Sequence, residues 1–525
     1  MTFTIGDGVS KKSTFDEALD LTGFGKYNVG MLITCCFLIV AMYMDIFGIS
    51  VVLPAVACDM SLDTMQQGLL SAIPLIGVII SSYVWGLCAD TIGRRTTLLI
   101  AMPVGFALSL AATMAPNFTL LATLKLLSVS FSSAANAAAF VLLAESVPSR
   151  HRSRFMFLMA SATMVVQLLI CSFAIPLFSL SFSYEISWLG VAYTPWRSLM
   201  QAICLPSALG IVCTIFLQES PKFLLSKDRH DEALEVLKSI HKSNTGSKKG
   251  GYSVMSVYLD EPRANSTETS LMKKMWNQTA PLFKPPLLKN SAILYYLLLT
   301  AYMTSTGFTM WVPTMTNAYF ADGDSSHHYG STFCEVASQS ASGSNSTAST
   351  ECTGTIEKKA LYATLTYSLV STIIMITLSF LVGPLGKKKL TLAVFVVSSL
   401  CGVMLLYVKV PMLSIALFFM FLYVAQILGN VNTYLVELNP THLRGMATCL
   451  SVVVARGSGF FSVQIIASLL GNHCTPMLYG YVALVMSGFF VATLLPPDAK
   501  PKINENVEAR NEEAADPETP KELNK

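Results

Sequence analysis

Residues 86–95 read Gly86-Leu-Cys-Ala-Asp90-Thr-Ile-Gly93-Arg94-Arg95, a short charged break between apolar runs at about 66–89 and 96–115. Each run has about the 20 residues that an α-helix needs to cross a hydrocarbon core of about 30 Å. Gly93 permits a tight return between the two helices, and Asp90 can accept hydrogen bonds from an arginine or from free helix amides. The break therefore reads as a polar hairpin joining two membrane-spanning helices.

Outward from this hairpin the same alternation fills the chain. Further apolar runs lie at about 28–53, 118–144, 155–180 and 198–217, then at about 291–320, 360–383, 390–408, 411–436, 446–471 and 475–495. Six runs on either side of a polar insert predict an all-α integral membrane protein with twelve transmembrane helices in two six-helix halves. The expected segments are an N-terminal stretch 1–27, a first half 28–217, a central loop 218–290, a second half 291–495 with an outer loop at about 321–359, and a disordered tail 496–525. In the central loop Ala233, Leu234, Leu237 and Ile240 recur at helical spacing, which predicts a short amphipathic helix beside the bundle. Composition agrees: 53% of the 525 residues are hydrophobic and 13% are charged, against roughly 25% charged in a soluble domain.

Basic residues accumulate in short cytoplasmic loops of membrane proteins. Arg94, Arg95, Arg150, Arg152, Arg154, Lys387, Lys388, Lys389 and Arg444 all fall on one side if both termini are cytoplasmic, which is the expected topology. The outer loop then carries the glycosylation sequon Asn345-Ser-Thr together with Cys334 and Cys352, which face the oxidising side and either pair or remain free thiols. The other cysteines lie mostly within apolar runs and have no zinc-like spacing, so no metal and no other cofactor is expected. A net charge of +3 without a basic, aromatic-interleaved block excludes nucleic acid as an expected partner. No phosphate-binding loop is present, so ATP is not expected as a direct energy source and nothing points to an enzyme.

Glu145-Ser-Val-Pro148-Ser-Arg-His-Arg152-Ser153 follows the fourth run, and Glu437-Leu-Asn-Pro440-Thr-His-Leu-Arg444-Gly445 follows the tenth. Glu, Pro and Arg recur at the same spacing, which implies parallel repeats with a site between the halves. The 86–95 hairpin resembles the loop signature Gly-x-x-x-Asp-x-x-Gly-Arg-Arg of the major facilitator superfamily. By that resemblance Gly86, Asp90, Gly93, Arg94 and Arg95, with Glu145, Arg152, Glu219, Glu437 and Arg444, form a cytoplasmic gate. In the second half Gly383-Pro-Leu-Gly386-Lys387-Lys388-Lys389 lacks the acid, so the gate is expected to be asymmetric. Glu219-Ser-Pro-Lys222 followed by Asp231-Glu-Ala-Leu, with Trp196-Arg197 before the sixth run, resembles the organic ion transporter branch, sugar porter-like, and most closely its synaptic vesicle glycoprotein 2-like relatives. Two departures stand out: Lys125-Leu-Leu-Ser-Val replaces Arg-Leu-Leu-Ser-Gly of the relatives, and Gly48 stands where they carry a second acid.

Charge within the bilayer costs at least a few kcal/mol, so each such group needs a partner or a task. Asp45 lies about 25 Å from the inner end of the first run and Lys125 about 10 Å from the outer end of the fourth. Both therefore occupy the outer half of the core, either as an ion pair or with Asp45 free to bind a cation or a proton. Arg456 falls near mid-depth of the eleventh run between small residues. Its fork suits an anionic group, or it bonds backbone carbonyls or Asp45. In the organic ion transporters that the sequence resembles, a basic residue here accompanies anionic substrates. Trp311, Phe308, Tyr302, Tyr423, Asn430 and Tyr434 are further candidates for the cavity lining.

The expected function is secondary transport of a small organic ion, an anion by preference, by alternating access, possible coupling ions being a proton or sodium. An alternative left open is a non-transporting, vesicle glycoprotein-like interaction or regulatory protein. The expected setting is the lipid bilayer of the plasma membrane or an intracellular vesicle, as a monomer.

Overall fold

The computed structural model describes residues 12–180, 182–187, 190–246, 252, 254–258, 279–320, 332–342, 356, 358–439, 441–471 and 473–497. Asn345, Cys352, the side chains of Glu437 and Arg444, and the tail beyond 497 lie outside the described residues.

Among the described residues eleven helices are long and apolar enough to cross a membrane: α1 (Lys26–Asp59), α2 (Thr64–Ile92), α3 (Arg94–Thr113), α4 (Phe118–Ser146), α5 (Ser149–Phe178), α6 (Pro195–Ile215), α8 (Lys358–Val382), α9 (Lys387–Tyr407), α10 (Met412–Leu435), α11 (Leu450–Leu469) and α12 (Cys474–Thr493). Between the sixth and eighth runs α7 (Leu287–Phe320) adds a helix of 34 residues, about 51 Å long. It is less apolar because it carries Thr300, Thr304, Ser305 and Thr306, all of which are buried against protein rather than lipid. The fifth span starts earlier than its apolar run. Pro148 ends the preceding loop and the helix begins at Ser149, so Arg150, Arg152 and Arg154 project from its first turns.

The halves repeat each other at the level of single side chains. Gly93 sits at φ +110° and Gly386 at φ +84°, each immediately before the next helix. An added Cβ at Gly93 would lie 2.4 Å from the Glu219 carboxylate, so neither the backbone nor the space admits another residue there. Two residues on, Arg95 donates to the Ile215 carbonyl at 2.8 Å. Its counterpart Lys388 donates to the carbonyls of Thr493 at 2.8 Å and Leu495 at 2.5 Å. Each cation thus caps the C-terminal end of the last helix of its own half, where free carbonyls concentrate negative potential.

Across the halves α1 packs on α7, α2 on α11 and α5 on α8. Close approach of α2 and α11 rests on Gly68, whose added Cβ would fall 2.4 Å from that of Ala467. This contact lies toward the face opposite the termini. On the same face buried Arg197 donates to the carbonyls of Thr113 at 2.8 Å, Ala115 at 3.0 Å and Ala192 at 3.0 Å, pairs with Asp59 at 3.3 Å, and stacks on Trp196. One guanidinium therefore joins the ends of α1 and α3 to the start of α6. Cys334 pairs with Cys474 and not with Cys352. The helix Phe333–Ser342 folds back onto the second half, Phe333 stacking on Phe418 at 4.7 Å, and this brings Cys334 to the start of α12.

On the termini face the described part of the central loop packs with the N-terminal segment into a small unit. The helix His230–Thr245 buries Ala233, Leu237 and Ile240, with Leu234 at the edge of the core. Its apolar side rests on Phe15, Ala18 and Leu19 of the helix Phe15–Leu21. The strand Lys12–Thr14 pairs in parallel with Ser256–Tyr258. Tyr252 donates to the Ala18 carbonyl at 2.6 Å, and burial pushes its phenol above the ordinary value, which keeps it a donor. This unit also caps spanning helices. Asn244 accepts from the Tyr27 amide at 3.1 Å at the start of α1, and Asp20 accepts from the Ser149 amide at 2.7 Å at the start of α5.

Candidate functional site

A cavity of about 200 Å³ lies between the halves near mid-depth of the spans. Tyr43 and Phe47 of α1 reach it from one side, one helical turn apart. Tyr302, Thr306 and Thr309 of α7 form a second stripe at i, i+4 and i+7, and Tyr367, Ser368 and Ser371 of α8 a third. Arg456 of α11 supplies the cation; among the described residues no carboxylate lines the cavity. Its guanidinium donates to the Tyr43 hydroxyl at 3.1 Å. The environment is thus aromatic and hydroxylated around one positive charge largely buried in protein, where an opposite charge interacts more strongly than in bulk solvent.

Of the residues nominated from sequence, Arg456 and Tyr302 line this cavity. Trp311 does not. It stands nine residues from Tyr302, on the opposite side of α7, and its indole donates to the Val463 carbonyl at 3.3 Å. Phe308 packs edge-on to Tyr481 at 4.8 Å in the core of the second half. Tyr423 is one layer back, its ring parallel to that of Tyr367 at 5.5 Å. Asn430 donates to Thr391 at 3.2 Å, and Tyr434 lies beneath the Lys387 ammonium at 5.3 Å. The sequence reading missed Tyr43, Phe47 and Tyr367. A signal for the first two existed: Tyr43 precedes Asp45 by two residues, so the two side chains leave opposite sides of α1.

Asp45 and Lys125 form an ion pair within the first half, the bonded alternative of the two open from sequence. The same carboxylate accepts from Ser109 at 2.9 Å, Ser128 at 2.5 Å and Ser132 at 3.3 Å. Neither residue reaches the Arg456 cavity. A separate void of about 10 Å³ beside Asp45 is lined by Ser109, Ser132, Cys204 and Ser207, room for about one water.

The charged residues of the termini face also come together, with a geometry that the repeat alone did not specify. Glu219 accepts from the backbone amides of Arg94 at 2.9 Å, Arg95 at 3.0 Å and Thr96 at 3.2 Å, capping α3. Arg94 lies 3.1 Å from both Glu145 and Asp90. Gly86 lies one helical turn before Asp90 on α2. Arg152 pairs with Asp16 of the N-terminal helix at 2.8 Å, not with a gate acid. All these contacts join the first half to itself or to the N-terminal and central segments packed against it. The Gly93 turn points Arg94 at α4 and seats Glu219 under α3. Replacing Glu219 with Gln removes the charge that matches three helix amides and places an amide NH₂ against one of them. The expected cost is about 1–2 kcal/mol, read as a lower melting temperature of the purified protein; an unchanged melt would contradict the cap.

Comparison with known proteins is consistent with this architecture. The chain is 22% identical over 330 residues to synaptic vesicle glycoprotein 2B of Rattus norvegicus, covering 59% of this chain and 48% of that protein. It is 27% identical over 273 residues to organic cation/carnitine transporter 7 of Arabidopsis thaliana, covering 51% of each. The chain thus spans about half the length of these relatives. A partially occluded, inward-open structure of the xylose transporter XylE from E. coli superposes with a TM-score of 0.62 at 14% identity, covering 90% of this chain and 100% of that one. With twelve long helices in two repeated halves and the turn at Gly93 in place, the match of residues 35–463 settles the family: the chain is a multi-pass membrane protein belonging to the Major Facilitator Superfamily.

Proposed function

We propose that the chain is a secondary transporter that carries a small organic anion across the bilayer by alternating access of its two halves, with both termini in the cytoplasm. The observation that carries this reading is Arg456, a buried guanidinium in a cavity between the halves that meets no carboxylate among the described residues. A cationic substrate would have to enter beside that charge with nothing to balance it. The tyrosine and phenylalanine rings of Tyr43, Phe47, Tyr302 and Tyr367 favour a flat, partly apolar body on the anion. Asp45 is already matched by Lys125 and three hydroxyls, so it serves as a strut of the first half rather than as a second substrate group. The test is uptake of a mixed panel of labelled organic anions and cations into cells that display the protein. Anions, and aromatic carboxylates foremost, are expected to accumulate above mock-transfected cells. Accumulation of cations alone would overturn the choice of charge, and no accumulation at confirmed surface expression would favour the vesicle glycoprotein-like interaction role.

A further inference from the structure

Arg456 is already engaged within the cavity, and its partner comes from the other half. The Tyr43 hydroxyl accepts from Nη2 at 3.1 Å, and the guanidinium carbon stands 5.3 Å from the centre of the Tyr43 ring. Phe47 stacks on that ring at 6.1 Å and 16°, one turn further along α1, and fixes the direction of the hydroxyl. The bond joins α1 of the first half to α11 of the second at mid-depth, far from the close packing of Gly68 on Ala467.

We propose that Tyr43 is a positioning residue that holds the Arg456 fork in the empty protein, and that an incoming carboxylate displaces its hydroxyl. Binding thereby exchanges a bond between the halves for a bond to the anion. The proposal rests on reading Arg456 as the anion fork. A phenol oxygen is a neutral acceptor that satisfies one of five guanidinium donors, whereas a carboxylate takes two in parallel and carries the opposite charge. The carboxylate wins the exchange, and in doing so frees α1 from α11. An empty carrier keeps its halves tied together at the centre; a loaded one does not. Differential bonding of this kind is what a ligand needs in order to shift a conformational equilibrium.

The test compares wild type with Tyr43→Phe, which keeps the ring and its stack on Phe47. Fluorescent non-natural amino acids at Arg150 and Lys389, both exposed near the termini face on opposite halves, report the separation of the halves in single molecules. Without ligand, Tyr43→Phe is expected to populate the distance that wild type reaches only when benzoate is added. Its Kd for benzoate is expected to fall by about threefold to tenfold, the worth of one neutral hydrogen bond. Identical ligand-free distance distributions would overturn the proposal, as would weaker benzoate binding, which would make Tyr43 a substrate ligand instead. If wild type binds no benzoate or other anion, the anion reading fails, and the ligand-free comparison still decides whether Tyr43 ties the halves together.

Discussion

Replacing Lys125 with Met is expected to destabilise the folded protein by about 3–5 kcal/mol. The variant keeps the length of the side chain and removes its charge, leaving the Asp45 carboxylate on three serine hydroxyls with no cation. Lys125 is fully buried and Asp45 nearly so, at 0% and 8% exposure, so bulk water does not replace the lost partner. The reverse change, Asp45→Asn, strands the ammonium in the same place and should cost a similar amount. Removing both charges in Asp45→Asn/Lys125→Met should recover most of the loss, because the expensive species is one unmatched buried charge. A double-mutant cycle on unfolding in detergent measures the coupling. If the double variant is as unstable as the sum of the two singles, the ion pair is not what holds α1, α3 and α4 together. Uptake by whichever variants fold then separates structural loss from any role of the pair in transport.

Arg456→Gln should lower kcat/KM for anion uptake by at least about a hundredfold, since a bidentate, charge-assisted contact is worth about 3 kcal/mol. The fold should survive. Among the described residues the hydrogen-bond partner of Arg456 is the Tyr43 hydroxyl, which Gln leaves free to turn elsewhere. Arg456→Lys retains the charge but loses the planar fork, and a loss of about tenfold is expected. Initial uptake rates of one anion at equal surface expression check the series. Full activity in Arg456→Gln would remove the single observation on which the choice of an anionic substrate stands.

These two sites were not equally legible from sequence. An ionisable residue in an apolar run is conspicuous one residue at a time, so Asp45, Lys125 and Arg456 could be singled out without knowing any contact. Their partners could not. Depth along a helix follows from counting residues, and it placed Asp45 and Lys125 at compatible heights. Which way each helix is turned about its own axis depends on its neighbours. That rotation sends Asp45 toward Ser109 and Ser128 while Tyr43, two residues earlier, faces Arg456. It also turns Trp311 and Phe308 away from the cavity and brings Tyr367 into it.

What the sequence determined by itself is local or periodic. Run length set the twelve helices, the recurrence of Glu, Pro and Arg marked the two halves, and the glycines at 93 and 386 set the tight turns. A spacing of three and four residues defined the amphipathic helix that now spans His230–Thr245. The tertiary structure decided everything that joins distant segments: Cys334 with Cys474, the strand Lys12–Thr14 with Ser256–Tyr258, Glu219 under the amides of α3, and Tyr43 on Arg456. The reason is physical. Helix formation inside a bilayer is enforced residue by residue by the cost of unbonded amides, so it is written along the chain. Pairing of faces depends on how twelve such helices pack at once, and no single segment carries that information.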